Sequence, residues 1–252
     1  MDTEELTSLK NPKVLLWRSL KDKKARGQHQ SFLVEGVRMV RDALASGLVP
    51  HAVLLRDGFV PGFSLPEVVP IYVLPEHVFQ SVCDTKTPQG IAAVLPLCVA
   101  PASGPRLLAL DGLQDPGNVG TIIRTADAAG FDGVLMSADC ADLFSPKVLR
   151  ATMGSLFHLG FSFPPSLPDA LNDLKSRGYS VLSSQLDGTP FFERENVAPS
   201  FVLIVGNEGN GVSLPVRESA THRLCLPMRG EAESLNAAVA AGIMMYDLTR
   251  NQ

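Results

Sequence analysis

The sequence predicts an α/β protein built from two successive units, and three observations carry that prediction. Short apolar runs of strand character alternate with segments of helical periodicity along most of the chain. The run Phe201-Val202-Leu203-Ile204-Val205 is unbroken and contains β-branched residues. It stops at Gly206-Asn207-Glu208-Gly209-Asn210-Gly211, as a buried parallel strand feeding a ligand loop would. Between the two series, residues 96–105 hold three prolines, a glycine and a serine and read as a linker. The expected domains are therefore 1–97 and 105–252.

In the first series, residues 14–26 have helical spacing, with Val14, Leu15, Leu16 and Leu20 set among basic residues. Ser31 to Val34 reads as a strand ended by Glu35-Gly36, and Val37, Val40, Ala43 and Leu44 recur at helical spacing up to Gly47. Strands follow at 52–55, 71–74 and 91–95, with a Gly/Pro-rich loop at 57–70 and a short helix at 75–82. The second series predicts strands at 107–110, 133–136, 180–184, 201–205 and 223–226. Its helices fall at 119–129, 146–152, 168–177 and 235–249, with Gly130 and Gly178 where helices would end. Neither an internal repeat nor a low-complexity tract is present.

At 252 residues, 45% hydrophobic and 19% charged, the composition is that of a soluble globular protein. Cys83, Cys98, Cys140 and Cys225 are scattered without C-x-x-C spacing, which points to reduced thiols in a cytoplasmic protein, not to zinc or a disulfide framework. The acidic start Met1-Asp2-Thr3-Glu4-Glu5 lacks the apolar core of a signal peptide, and no apolar run reaches the ~18 residues of a membrane span. The net charge of −4 is unevenly spread: Lys10, Lys13, Arg18, Lys21, Lys23, Lys24 and Arg26 face a single acid, Asp22, within 17 residues. Such a segment is either a polyanion contact or a solvated helix face.

Three stretches carry chemistry. Asp111-Gly112-Leu113-Gln114-Asp115-Pro116-Gly117-Asn118 follows the first strand of the second series, with Asn118 placed to cap the next helix. On that helix Ile122, Ile123, Ala126 and Ala129 form a core face, and Arg124 lies on the opposite side, roughly 200° from Ile122 and Ala126 at ~100° per residue. The glycine loop after Val205 has G-x-x-G-x-G spacing. It lacks both the strand-end acid about 20 residues on that a dinucleotide fold requires and the Lys-Ser/Thr of a P-loop. The third stretch, LCLPMRGEAESLN, leaves a short strand at Leu226 and carries Ser234 and Asn236.

In their order, DGLQDPGNVGTIIRTADAAGFDGV, FVLIVGNEGNGVS and LCLPMRGEAESLNAAVA resemble the three-motif signature of the SpoU/TrmH branch of the SPOUT RNA methyltransferases. Residues 5–95, with Leu9-Lys10-Asn11-Pro12 and Phe32-Leu33-Val34-Glu35-Gly36, resemble the ribosomal-protein-like substrate-binding domain often fused in front. The resemblance implies a sheet with a deep trefoil knot, a homodimer, and S-adenosylmethionine-dependent 2′-O-methylation of ribose, with ribosomal RNA preferred over transfer RNA. It places the catalytic set on Asn118, Arg124, Glu208, Ser234 and Asn236. Cofactor contacts fall on Ile204, Gly206, Asn207, Leu226, Met228, Ser234 and Leu235. RNA contacts are expected at Lys21, Lys23, Lys24, Arg26, Glu35 and Arg150. No metal is implied. The family usually has Val-Ser after the last asparagine, where this chain has Ala237-Ala238.

Methyl transfer to a hydroxyl needs alignment and removal of one proton. The motifs offer neither histidine nor lysine, and a guanidinium stays protonated. Arg124 is therefore either a transient base or, as the electrostatics favour, a fixed cation that stabilises the forming alkoxide while Ser234, Glu208 or a phosphate relays the proton. Two other classes compete: a non-catalytic RNA-binding or ribosome-assembly protein with a methyltransferase-like fold, and an α/β enzyme using another nucleotide. The intact five-residue set argues against the first, and the glycine spacing against the second.

Overall fold

The computed structural model describes residues 3–250; Met1 and Asp2, which open the acidic start, lie outside the described residues. By its contacts the chain forms two compact units. One comprises the chain up to Cys98 together with Phe144–Phe157, and the other comprises Val99–Leu143 and the chain from His158 onward.

The first unit runs β1 (Thr3–Glu5), α1 (Pro12–Ser19), α2 (Lys23–His29), β2 (Ser31–Glu35), α3 (Val37–Ala45), β3 (Ala52–Arg56), β4 (Ile71–Leu74), α4 (Glu76–Val82) and β5 (Ile91–Pro96). Its sheet has the order β1-β4-β3-β5-β2. β4 is parallel to both neighbours, and β5 is antiparallel to β3 and β2. Trp17 from α1 packs tilted on Tyr72 from β4, with centroids 5.0 Å apart, over a core that includes Val14, Leu54 and Phe79.

The single helix expected over 14–26 is two. α1 stops at Ser19, whose hydroxyl donates to Leu16 O at 2.7 Å, and α2 restarts after Asp22. The break lets Leu20 and Arg26 both turn inward, to 2% and 3% exposure. Arg26 then donates to Leu20 O and Lys21 O at 2.8 and 2.7 Å, filling carbonyls that the broken helix leaves open.

The remaining elements are β6 (Arg106–Asp111), α5 (Pro116–Ala128), β7 (Gly133–Met136), α6 (Pro146–Thr152), β8 (Gly160–Ser162), α7 (Leu167–Ser176), β9 (Ser180–Pro190), β10 (Phe201–Gly206), α8 (Leu214–Glu218), β11 (His222–Cys225) and α9 (Ala237–Thr249). Of these, α6 clusters with the first unit. Phe144 just before it packs on Phe32 with centroids 4.9 Å apart, and Val148 and Leu149 are buried. Sequence spacing foresaw this helix but not its allegiance. β1, β8 and α8 were not foreseen, because their short sequences, Thr-Glu-Glu, Gly-Phe-Ser and Leu-Pro-Val-Arg-Glu, lack the continuous apolar run that marks most of the other short strands.

The second sheet has the order β11-β9-β10-β6-β7-β8, and every ladder in it is parallel. Parallel strands covered on both faces explain the continuous apolar runs at 107–110 and 201–205. Gly130 and Gly178 take φ +74° and +87° just past α5 and α7, as expected of residues that close helices. β9 outruns its expected end. Its pairing with β11 jumps from Ser183 to Thr189, so residues 184–188 bulge out at the carboxyl end of the strand.

Candidate functional site

From β6 the chain winds through β7 to β8 on one side; it then crosses to β9 and returns through β10 to lie beside β6. The carboxyl ends of β6 and β10 thus adjoin where the winding reverses, which is where open α/β sheets hold ligands. There Asp111 stands in register with Gly206.

The loop leaving Gly206 is tightly closed. Asn207 and Gly211 exchange N–H···O bonds of 3.0 and 2.9 Å. Asn207 Oδ1 accepts from the N–H groups of Gly209 and Asn210, both at 3.0 Å, and its Nδ2 donates to Gly112 O at 2.7 Å. A Cβ on Gly206 would lie 2.2 Å from Val212 N, so the close return of the backbone demands glycine there.

Glu208 projects from this loop toward the one that follows β6. Its carboxylate accepts from Gln114 N (3.4 Å), Asp115 N (3.2 Å) and Asn118 Nδ2 (3.0 Å). A carboxylate only accepts, so it sets the polarity of the amides beyond it. Asn118 presents its NH₂ to Glu208 and its oxygen to Asn236 Nδ2, at 3.0 Å. Asn236 turns its own oxygen onto the N–H groups of Ala238 and Val239, capping α9. Three residues spread over 118 positions thus form one directed chain. Partial burial opposes the charge on Glu208, but the bonds from Asn118, its own N–H, Asp115 and Gln114 outweigh it and hold the pKa below the ordinary value. Glu208 is therefore a poor carrier of the proton leaving a hydroxyl and a good anchor.

Several sequence expectations change. The cap of α5 is Asp115, whose Oδ1 accepts from Asn118 N at 2.7 Å, because Pro116 starts the helix earlier and places Asn118 inside its first turn. That frees the Asn118 amide for Glu208 and Asn236. Ile204 is fully buried among Leu107, Ala109 and Val202, so its side chain offers no wall to a ligand. Arg26 is committed to its own unit. Lys21 Nζ is bonded to Ser81 O and Cys83 O at 3.1 and 2.7 Å. Glu35 accepts from the N–H groups of Asp84 and Thr85, and Arg150 pairs with Asp84 and, at 3.7 Å, with Glu35. These residues brace the first unit; Lys23 and Lys24 are exposed. Arg124 is exposed on α5 as expected, with no hydrogen-bond or ion-pair partner among the described residues.

Leu226 and Met228 are half-buried, and Ser234 and Leu235 are exposed. Residues 227–235 make no backbone–backbone hydrogen bond among the described residues, so their donors and acceptors are available to a ligand. Sequence reasoning missed Gln185 in the bulge at the end of β9. Its Nε2 donates to Ser183 Oγ at 2.9 Å, but its buried Oε1 has no partner among the described residues. The sequence signal was the run Ser183 to Gly188, where apolar character lapses before the strand ends. All four cysteines are free, and burial raises the thiols of Cys83 and Cys140, so neither presents a ready thiolate. No metal-binding cluster and no helix long and apolar enough to cross a membrane occur among the described residues.

A parallel sheet with polar loops braced at its winding reversal defines an α/β protein with a ligand site at its strand ends. Residues 105–246 match the SpoU rRNA Methylase family, and residues 11–93 match the MRM3-like substrate binding domain. The chain belongs to the SpoU rRNA methylase family. It is 41% identical, over 97% of its length and 99% of the relative's, to the 23S rRNA (guanosine(2553)-2′-O)-methyltransferase RlmP of Bacillus subtilis (strain 168). Among solved structures it resembles an AdoMet-bound rRNA methyltransferase from Sinorhizobium meliloti, with a TM-score of 0.87 and 31% identity over 99% of this chain and 98% of that one. It also resembles the SpoU methyltransferase AviRb from Streptomyces viridochromogenes in complex with AdoMet, at 0.82 and 25% over 96% and 98%.

Proposed function

We propose that this protein transfers the methyl group of S-adenosylmethionine to a ribose 2′-hydroxyl of ribosomal RNA in the cytoplasm. The observation that carries the reading is the Glu208–Asn118–Asn236 chain, which ties together the three loops around the strand ends. The donor set fits an adenosyl ligand: unused backbone groups over 227–235 can bind a base edge and ribose, and Leu226 and Met228 can take the apolar faces. Gly206 and Asn207 shape the facing loop, Ser234 and Leu235 close the other side, and the free Gln185 oxygen can accept from a ligand donor. Bound there, S-adenosylmethionine would supply a methyl group on a sulfonium, with the neutral thioether as leaving group. The protein's part is to align the ribose and to stabilise the alkoxide, a role that falls to Arg124, an exposed cation without a partner among the described residues; a phosphate takes the proton, directly or relayed through the Ser234 hydroxyl.

Residues 105–252 then hold the cofactor, through a trefoil knot in which the chain around 206–211 and 226–235 is threaded, and residues 1–97 grip the RNA. A ligand that binds only the folded state raises its stability by mass action. Saturating S-adenosylhomocysteine is therefore expected to raise the melting temperature in a thermal scan. A shift with ATP and none with the adenosyl ligand would remove the cofactor assignment.

On the RNA side, Lys23 and Lys24 on α2 are open cations of the basic segment, as are Lys10 and Arg18. Replacing both with glutamine is expected to flatten the slope of log K against log salt by about 0.7–0.9 for each phosphate that is no longer neutralised. An unchanged slope would make α2 a solvated face.

The protein is proposed to work as a homodimer. α9 buries Ala238, Ala241, Met244, Met245 and Leu248, yet Val239, Ile243 and Tyr246 stay 39–54% exposed at i, i+4, i+7 spacing, with Leu235 39% exposed just before the cap. Light scattering at micromolar concentration is expected to give twice the mass of one chain; a monomer mass would refute the pairing.

A further inference from the structure

The two ends of the 207–213 loop are held by consecutive residues of β6 and its exit. Gly112 O accepts from Asn207 Nδ2 at 2.7 Å at the near end, and Asp111 Oδ2 accepts from Ser213 N at 2.7 Å at the far end. Gly112 is pinned in turn by its own N–H, which donates to Ser137 Oγ at 2.9 Å. Asp111 is 6% exposed, and the only hydrogen bond to its carboxylate among the described residues is the one from Ser213. The loop it anchors bears Glu208 and faces the winding reversal of the sheet.

We propose that Asp111 is a positioning residue for cofactor binding: by holding Ser213 N it fixes the far end of the 207–213 loop, and with it the backbone edge against which the adenosyl group rests. The proposal rests on the S-adenosylmethionine reading above. Asp111 does not touch the reacting atoms, so its loss acts on cofactor affinity and leaves the transfer step alone.

The test is calorimetric binding of S-adenosylhomocysteine, with kcat and KM for S-adenosylmethionine, on the wild type, Asp111→Ala, Asp111→Asn and Ser213→Pro. A lost charge-assisted hydrogen bond corresponds to roughly 10-fold or more. Asp111→Ala is expected to weaken binding about 10-fold and raise KM in parallel, with kcat at saturating cofactor within about 3-fold of wild type. Asp111→Asn keeps an acceptor for Ser213 N without the charge and is expected to bind between wild type and the alanine variant. Ser213 has φ −63°, which proline adopts, so Ser213→Pro deletes the donor without straining its own φ and is expected to reproduce the alanine variant. The double variant should be no worse than either single one. If Asp111→Ala does not fold, the asparagine and proline variants decide. Unchanged affinity in Asp111→Ala or Ser213→Pro, a fall in kcat without one in affinity, or asparagine as damaging as alanine would each overturn the proposal. Failure of the wild type itself to bind the ligand would instead overturn the cofactor reading, and it would show before any variant is measured.

Discussion

Arg124→Ala is expected to lower the single-turnover rate of methyl transfer by about 10²–10³, the loss seen when one preorganised donor to a developing oxyanion is removed. The same variant should keep its melting temperature. Arg124 is exposed on α5 and bonded to none of the described residues, while Ile122, Ile123 and Ala126 on the other side of the helix are buried. Its removal opens no cavity, so the change in stability should stay within the ±0.5 kcal/mol or so of surface substitutions. Arg124→Lys keeps a charge but loses the planar fork and should rescue only partly. Affinity for S-adenosylhomocysteine should be unchanged in both. Near-normal turnover by the alanine variant would end the catalytic assignment, and a collapsed melting temperature would make Arg124 structural.

Glu208→Gln is the second large effect. The glutamine amide turns an NH₂ toward a site already crowded with donors from Gln114, Asp115 and Asn118. One of these bonds is lost outright, and Asn118 is released to flip, which breaks the polarity that reaches Asn236. A loss of roughly 10- to 100-fold in kcat/KM is expected from one or two mispaired polar groups. The pH dependence has a definite sign. Because the folded-state pKa of Glu208 is lowered, its bonds contribute fully above the ordinary glutamate value of about 4.3 and are lost as pH falls through the lowered folded value. The contribution is small, since the group is exposed and solvent-screened. Thermal scans from about pH 7 to about pH 3 should show the wild type losing an increment below about pH 4 that the glutamine variant never had. Parallel curves throughout would mean that the carboxylate anchors nothing.

Local pattern was enough to find the two α/β series and most strands to within about two residues; the grouping of Asn118, Glu208 and Asn236 came from the resemblance of the three motifs to a known family. Continuous apolar runs have few alternatives to buried parallel strands, and a polar loop after such a strand has few places to go but the ligand edge. Gly130 and Gly178 were legible for the same local reason: a helix end in the left-handed region favours glycine.

Which polar groups were already committed emerged with the folded chain alone. Lys21, Arg26, Glu35 and Arg150 read along the chain as an RNA-facing set, but all four have partners within the first unit, some more than 60 residues away. Asn118 read as a helix cap, and Asp115 took that position because proline at the next residue begins the helix there. Ile204 read as a wall of the site, yet a strand covered on both faces leaves no free side for it. Asp111 read only as the start of a motif and Gln185 only as part of a lapse in apolar character, since the hydrogen bond one makes across 102 residues and the partner the other lacks are not marked locally. Periodicity is a property of neighbours along the chain. The satisfaction of a buried polar group is settled by atoms that only the fold brings within about 3 Å of it.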